Sequence, residues 1–298
     1  MCAEKMHADE VDIDADLVRR LLAAQLPRWA DLRIEPVASA GTVNAIYRLG
    51  DDMAVRLPRV GRWARSLETE YEWLPKLAPH LPLAVPEPLA KGSPGEGYPW
   101  NWAVYRWLEG DTWAVDRIRD LREAAADLAR FIIAWRRVDT ADGPRHGGEV
   151  LADRDRYVRR AIAASHGLID TDAVSAAWGA ALQAPAWDGA PVWLHGDLWR
   201  PTNLLVAGGR LTAVIDFGGL SVGDPARELM AAWSLFSGES RETFRAALSV
   251  DDATWARGRG WALTCVMAIP YYVETNPVIF AEARHAIEEV LADHRSGT

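Results

Sequence analysis

The sequence predicts an α+β fold whose N-terminal part is an antiparallel sheet with one helix and whose remainder is mostly helical. Three observations carry this. Val43, Ala45, Tyr47 and Leu49 alternate along one strand, and Met53, Val55 and Leu57 along a second, with Gly50-Asp51-Asp52 as the turn between them. From Asp116 the period changes: Ile118, Leu121, Ala125, Leu128, Ile132 and Trp135 recur at helical spacing. A second hairpin follows far downstream, where the apolar runs Asn203–Val206 and Leu211–Ile215 flank Ala207-Gly208-Gly209-Arg210.

The remaining elements fall between these anchors. Asp16-Leu17-Val18-Arg19-Arg20-Leu21-Leu22 reads as a short amphipathic helix ending before Pro27. Ser66–Leu74 reads as a helix with Leu67, Tyr71 and Leu74 on one face. Pro82, Pro86, Pro88, Gly92, Pro94, Gly95 and Gly97 predict a loop-rich crossing, followed by an apolar strand over 102–110. The Ala-rich stretch from Asp153 to Ala181 is expected to be helical, as are two or three segments after Glu228.

Composition narrows the function classes. The chain has 298 residues, 49% of them apolar and 25% charged, as expected of a globular protein with a large core. No apolar run approaches the roughly 18 residues of a membrane span, so no membrane partner is expected. Met1-Cys2-Ala3-Glu4-Lys5 is polar, so no signal peptide is expected, and with only Cys2 and Cys265 a reducing, cytoplasmic setting fits. A net charge of −9 argues against nucleic acid as a partner and is compatible with a cationic one. Most of the 15 Trp residues are expected in the core, a few in a pocket. Oligomeric state is not legible in the sequence.

The chemistry concentrates in Leu194-His195-Gly196-Asp197-Leu198-Trp199-Arg200-Pro201-Thr202-Asn203 and Val214-Ile215-Asp216-Phe217-Gly218. Two carboxylates and a carboxamide on strand-flanked loops are the set that phosphoryl transfer from Mg-ATP to an alcohol requires. One carboxylate orients the hydroxyl and accepts its proton, and the other two groups hold magnesium. The hairpin is expected to bring Asn203 near Asp216 at one ion. Taken singly, each aspartate could equally be an ordinary turn residue.

On these motifs the chain resembles the aminoglycoside phosphotransferases, small-molecule relatives of the protein kinases, over residues 35 to 235 and most specifically over 194 to 235. The resemblance implies a two-lobed protein-kinase-like fold, with residues 1–108 as nucleotide-binding lobe and 109–298 as helical lobe carrying the catalytic loop and acceptor pocket. It implies ATP and Mg2+ as cofactors and a small hydroxylated molecule as partner, an aminoglycoside first. A macrolide, homoserine, a choline-like alcohol or a sugar metabolite are alternatives.

The resemblance also assigns roles. Asp197 becomes the catalytic residue, with Asn203 and Asp216 the metal ligands. Arg56 stands where the family has its phosphate-gripping lysine, and the period-2 count turns it away from Val55 and Leu57. Arginine binds phosphate bidentately, so the role is available to it. Glu70 is the best match for the acid that pairs with that basic residue, ahead of Glu68 and Glu72. Ser39–Asn44, with Gly41 and Thr42, falls at the nucleotide flap, and Arg106, Trp107 and Leu108 at the adenine-binding hinge. His195 and Glu228 are expected to brace the loop. Trp199, Trp233, Tyr271, Tyr272 and Glu274 are suggested for the acceptor pocket.

The pattern departs from the family's in two places: arginine at 56, and a six-residue Asp197–Asn203 spacing where five is usual. These departures support a competing reading, a non-catalytic nucleotide-binding protein on the same fold. A protein kinase is the weaker reading, because Asp224 follows Asp216 by only eight positions, with no GxGxxG loop and no APE-like segment.

Overall fold

The computed structural model describes residues 9–38, 43–145 and 150–296. It confirms the α+β class, with an antiparallel sheet region followed by a helical one. The chain divides into two compact units that interleave in sequence. The first comprises Met1–Pro79, Ala84–Glu109 and Ala213–Gly218, and the second His80–Leu83, Gly110–Thr212 and Gly219–Thr298.

In the first unit, α1 (Ala15–Gln25) starts at Asp14, whose carboxylate accepts the Leu17 N–H at 2.7 Å. It buries Leu17, Val18, Leu21 and Leu22 in a core shared with the sheet. The sheet strands are β1 (Ile34–Pro36), β2 (Asn44–Leu49), β3 (Met53–Pro58), β4 (Pro88–Gly92) and β5 (Trp102–Arg106), in the order β1-β2-β3-β5-β4, all antiparallel. The β2–β3 register sets Ile46 opposite Arg56 and Leu49 opposite Met53. β4 lies inside the segment expected to be a loop. It is an edge strand, where its first residue, Pro88, costs no ladder bond, and an irregularity between Pro88 and Ala90 blurs its alternation.

The helix of this unit is α2 (Ala64–Leu77), which buries Leu67, Glu70, Leu74 and Leu77. Glu70 therefore occupies a position on the inward stripe that periodicity reserves for an apolar residue. The segment Ala213–Gly218 joins this unit through a parallel bridge between Ala84 and Ala213 and a 2.9 Å bond from the Val214 N–H to the Ala84 carbonyl.

The second unit is built on helices: α3 (Leu121–Arg136), α4 (Asp155–Ala164), α5 (Thr171–Leu182), α6 (Ala231–Ser234), α7 (Gly238–Leu248), α8 (Asp252–Leu263), α9 (Ile269–Tyr272) and α10 (Pro277–Ser296). The periodic run from Ile118 becomes helical only at Leu121, because Asp120 caps it by accepting from Arg122 and Glu123. Short strands carry the loops: β6 (Asp111–Thr112), β7 (Val192–Leu194), β8 (Leu204–Ala207), β9 (Arg210–Val214) and β10 (Ser221–Gly223). β10 pairs with β7, and β6, β8 and β9 form a small sheet. Gly208 and Gly209 turn the β8–β9 hairpin with φ of 60° and 82°, values that side-chain-bearing residues resist. Trp135 stacks on Phe131 at 5.6 Å and meets Trp193 edge-on at 6.2 Å, inside the core. Among the described residues, no helix is long and apolar enough to cross a membrane.

Candidate active site

Each unit assembles its own part of the predicted machinery. In the first, β3 holds Arg56 and α2 holds Glu70. Both side chains are buried, and both guanidinium Nη atoms bond Glu70, Nη2 to Oε1 at 2.9 Å and Nη1 to Oε2. Arg56 Nη2 also reaches Asp216 Oδ1 at 3.4 Å. Burial opposes the Arg56 charge, but Glu70 and Asp216 outweigh it and hold its pKa above the ordinary arginine range. Lysine offers a point charge, whereas the planar fork spans both Glu70 oxygens and still faces Asp216.

Asp216 adopts φ of 63°, a left-handed conformation that costs a non-glycine residue about 1–3 kcal/mol. The next residue, Phe217, is fully buried and anchors the turn. The Asp216 carboxylate remains 35% exposed, so it is held at one edge and open at the other. Of the hinge candidates, Arg106 and Trp107 already donate their N–H groups to the Glu87 and Asp52 carbonyls at 2.9 and 2.8 Å. Leu108 is half-buried beyond the end of β5. Gly41 and Thr42 lie outside the described residues.

In the second unit, β7 leads into His195, which is buried and whose Nδ1 accepts the Asp197 N–H at 3.2 Å. Gly196 has φ of 81°, and a Cβ there would sit 2.9 Å from the Gly219 carbonyl oxygen and from Arg227 Nη2. This explains glycine at the position. Its N–H donates to Glu228 Oε1 at 2.9 Å, and its carbonyl accepts from Arg227 Nη2 at 3.2 Å. Glu228 is fully buried, and that burial raises its carboxyl pKa against the pull of the Gly196 N–H.

The six-residue spacing has a local cause. Two consecutive three-residue turns fill it: the Arg200 N–H bonds the Asp197 carbonyl at 3.3 Å, and the Asn203 N–H bonds the Arg200 carbonyl at 3.0 Å. The chain then returns Asn203 to Asp197, and Asn203 Nδ2 donates to both Asp197 O and Oδ2 at 3.0 Å. This orientation turns Asn203 Oδ1 away from Asp197 and keeps it as an acceptor.

A cavity of about 300 Å³ opens at Gly196, lined among others by Trp199, Tyr271 and Tyr272, three of the suggested pocket residues. Trp233 is not among them: it is fully buried, its ring 4.6 Å from that of Trp255. Glu274 is exposed and does not line the cavity either. Arg154, Arg227 and Trp261 do line it, and sequence reasoning missed them. Nothing in the local sequence marks these arginines apart from the many on the surface.

Oxygen donors dominate the two clusters, and that suits magnesium, a hard cation. Among the described residues, no three His, Cys, Asp or Glu side chains gather into a self-sufficient metal cage. Magnesium bound through one or two protein oxygens and substrate phosphates needs none.

The chain is similar to known proteins in sequence and in fold. The profile of the phosphotransferase enzyme family (APH) matches residues 33–261. The GDP complex of wild-type aminoglycoside 2'-phosphotransferase-IIIa is similar in fold, with a TM-score of 0.76 at 18% identity over 95% of this chain and 100% of that one. The macrolide 2'-phosphotransferase MphH from Brachybacterium faecium has a TM-score of 0.59 at 23% identity, over 92% of this chain and 98% of that one. The uncharacterized protein YcbJ of Bacillus subtilis (strain 168) is 27% identical over 193 residues, which is 61% of this chain and 58% of that relative's length. With the family profile spanning most of its length, the chain belongs to the phosphotransferase enzyme family.

Proposed function

We propose that this protein transfers the γ-phosphoryl group of ATP to a hydroxyl of a small molecule. One observation carries the reading: Asp197 sits on a loop whose backbone is fixed by His195, Glu228 and Arg227, with its carboxylate held by Asn203, next to a cavity that opens at Gly196. A general base needs that placement more than it needs an unusual pKa, since such catalysis is mainly positioning and electrostatics.

In this reading Asp197 orients the acceptor hydroxyl and takes its proton. Arg56, gripped by Glu70, faces the phosphates, and the Leu108 backbone is the hinge contact for the base. Asp216 and the Asn203 side-chain oxygen would hold magnesium, which would supply positive charge to offset that of the phosphates. The strained backbone of Asp216 supports its assignment, because such strain persists where surrounding structure enforces it.

The acceptor panel follows from the relatives. Solved relatives include complexes with kanamycin and gentamicin, and others are macrolide 2'-phosphotransferases. An aminoglycoside-type antibiotic, a macrolide and small metabolic alcohols are therefore assayed together, by coupled ADP release with ATP and magnesium. Acceptor-dependent release is expected, and Asp197→Ala should lower it by about two to four powers of ten while leaving ATP binding in place. Turnover in Asp197→Ala equal to the parent would overturn the assignment. ATP binding without transfer to any acceptor would favour the non-catalytic reading.

A further inference from the structure

We propose that the cavity at Gly196 takes a compact hydroxylated acceptor with an apolar, flat body and a negative charge, and that it disfavours polycations. The hydroxyl rests on the phosphotransferase reading above. The charge preference rests on the cavity alone.

The lining contains two arginines, Arg154 and Arg227, and no aspartate or glutamate. A polycation entering such a space meets like charge and no carboxylate in the lining, and the neighbouring Asp197 carboxylate already accepts from Asn203. Arg154 is half-buried and forms no ion pair among the described residues. A carboxylate offered to it would gain a charge-assisted, bidentate contact. Arg227 is held in place by the Gly196 carbonyl at 3.2 Å and adds positive potential near the loop.

Aromatic walls could still recruit a cation through their ring faces. Here protein cations already stand over the two indole rings of the lining, the best cation acceptors among its aromatics: the Arg200 guanidinium lies 5.3 Å from the Trp199 ring centre and that of Arg227 lies 5.4 Å from Trp261. Glu282, a carboxylate that could answer a cation, is taken by Arg200 at 2.6 Å. What remains for a ligand is apolar area and the charge of Arg154. The net charge of −9 points the other way, but contributions from beyond a Debye length of about 8 Å are screened, so the local set decides. The volume of about 300 Å³ is at the low end for ligand sites and calls for a compact acceptor.

Three probes of one shape test this: para-(hydroxymethyl)benzoate, the corresponding benzamide and the corresponding benzylamine. Binding of each to the full chain with Mg-ADP is measured by calorimetry, with gentamicin as polycation. The benzoate is expected to bind about tenfold tighter than the benzamide, and the benzylamine and gentamicin weakest. Arg154→Gln should erase the benzoate's advantage, and Arg154→Glu should reverse the order, circular dichroism confirming that both variants fold. Tightest binding by the benzylamine or gentamicin, no measurable binding of the benzoate, or an order unmoved in Arg154→Glu would each overturn the proposal. Turnover with Mg-ATP is read separately. If none of the probes is phosphorylated while the binding order holds, the kinase reading is what fails and the charge preference stands.

Discussion

The Arg56 cluster of the first unit and the Asp197 loop of the second are built by opposite means. Arg56, Glu70 and Asp216 are fixed side chain to side chain, by charge, in a buried setting. The Asp197 loop is fixed through its backbone: His195, Glu228 and Arg227 each hold a main-chain group of residues 196 and 197. In the proposed function Arg56 has to present charge and is fixed by charge, whereas Asp197 has to stand at one place and is fixed by backbone bonding. The difference teaches where each cluster is fragile, since removing a charge leaves its partner exposed to the full desolvation penalty, whereas removing one backbone contact leaves a single polar group unsatisfied.

The largest expected effect therefore lies in the first cluster. Glu70→Ala leaves Arg56 buried with only Asp216 at 3.4 Å. Breaking a buried pair by removing one partner costs about 3–5 kcal/mol, measurable by chemical denaturation. A loss below about 1 kcal/mol would mean that Asp216 takes over the pairing, and the contrast between the clusters would fail.

A smaller effect is expected in the second. Gly196→Ala places a Cβ on a residue with φ of 81°, against the Gly219 carbonyl. The left-handed conformation alone costs about 1–2 kcal/mol. Because the loop positions Asp197, turnover should fall further than stability, and ADP release measured alongside the melting temperature separates the two. Equal losses in both would make the loop a structural element rather than a positioning one.

The sequence carried these two clusters unequally. Arg56 was legible because a two-residue period fixes which way a strand residue points. Glu70 was legible only through the family resemblance, as the best match for the helix acid that pairs with the basic residue; its place on the buried face was not, because the face read from the sequence was Leu67, Tyr71 and Leu74. The loop motif itself announced Asp197, but what holds the loop did not all show, since Arg227 bonds the Gly196 carbonyl from 31 positions away. Arg154 was hidden for the same reason: a cavity gathers residues from distant segments, and no local period records it. Trp233 shows the reverse error. Aromatic character suggested a pocket, but burial against Trp255 is decided by packing that a linear reading does not contain. β4 was masked by the prolines and glycines that an edge strand tolerates.

Asn203 offers the finest test, because it belongs to both styles of construction. Its Nδ2 tethers Asp197 through one backbone and one side-chain oxygen, while Oδ1 is the proposed metal ligand. As a tether, each bond is worth about 1 kcal/mol, so Asn203→Ala should destabilise the fold by about 1–2 kcal/mol. As a ligand, it should also raise the magnesium concentration needed for half-maximal ADP release at fixed ATP, by about tenfold. Asn203→Asp separates the two. It keeps the oxygen donors and loses the amide that holds Asp197, placing a second carboxylate beside the first. If magnesium dependence recovers in Asn203→Asp while turnover stays low, both roles hold. If magnesium dependence is unmoved in both variants, Asn203 is a tether alone, and the extra residue in the loop has taken the metal ligand out of the family's pattern.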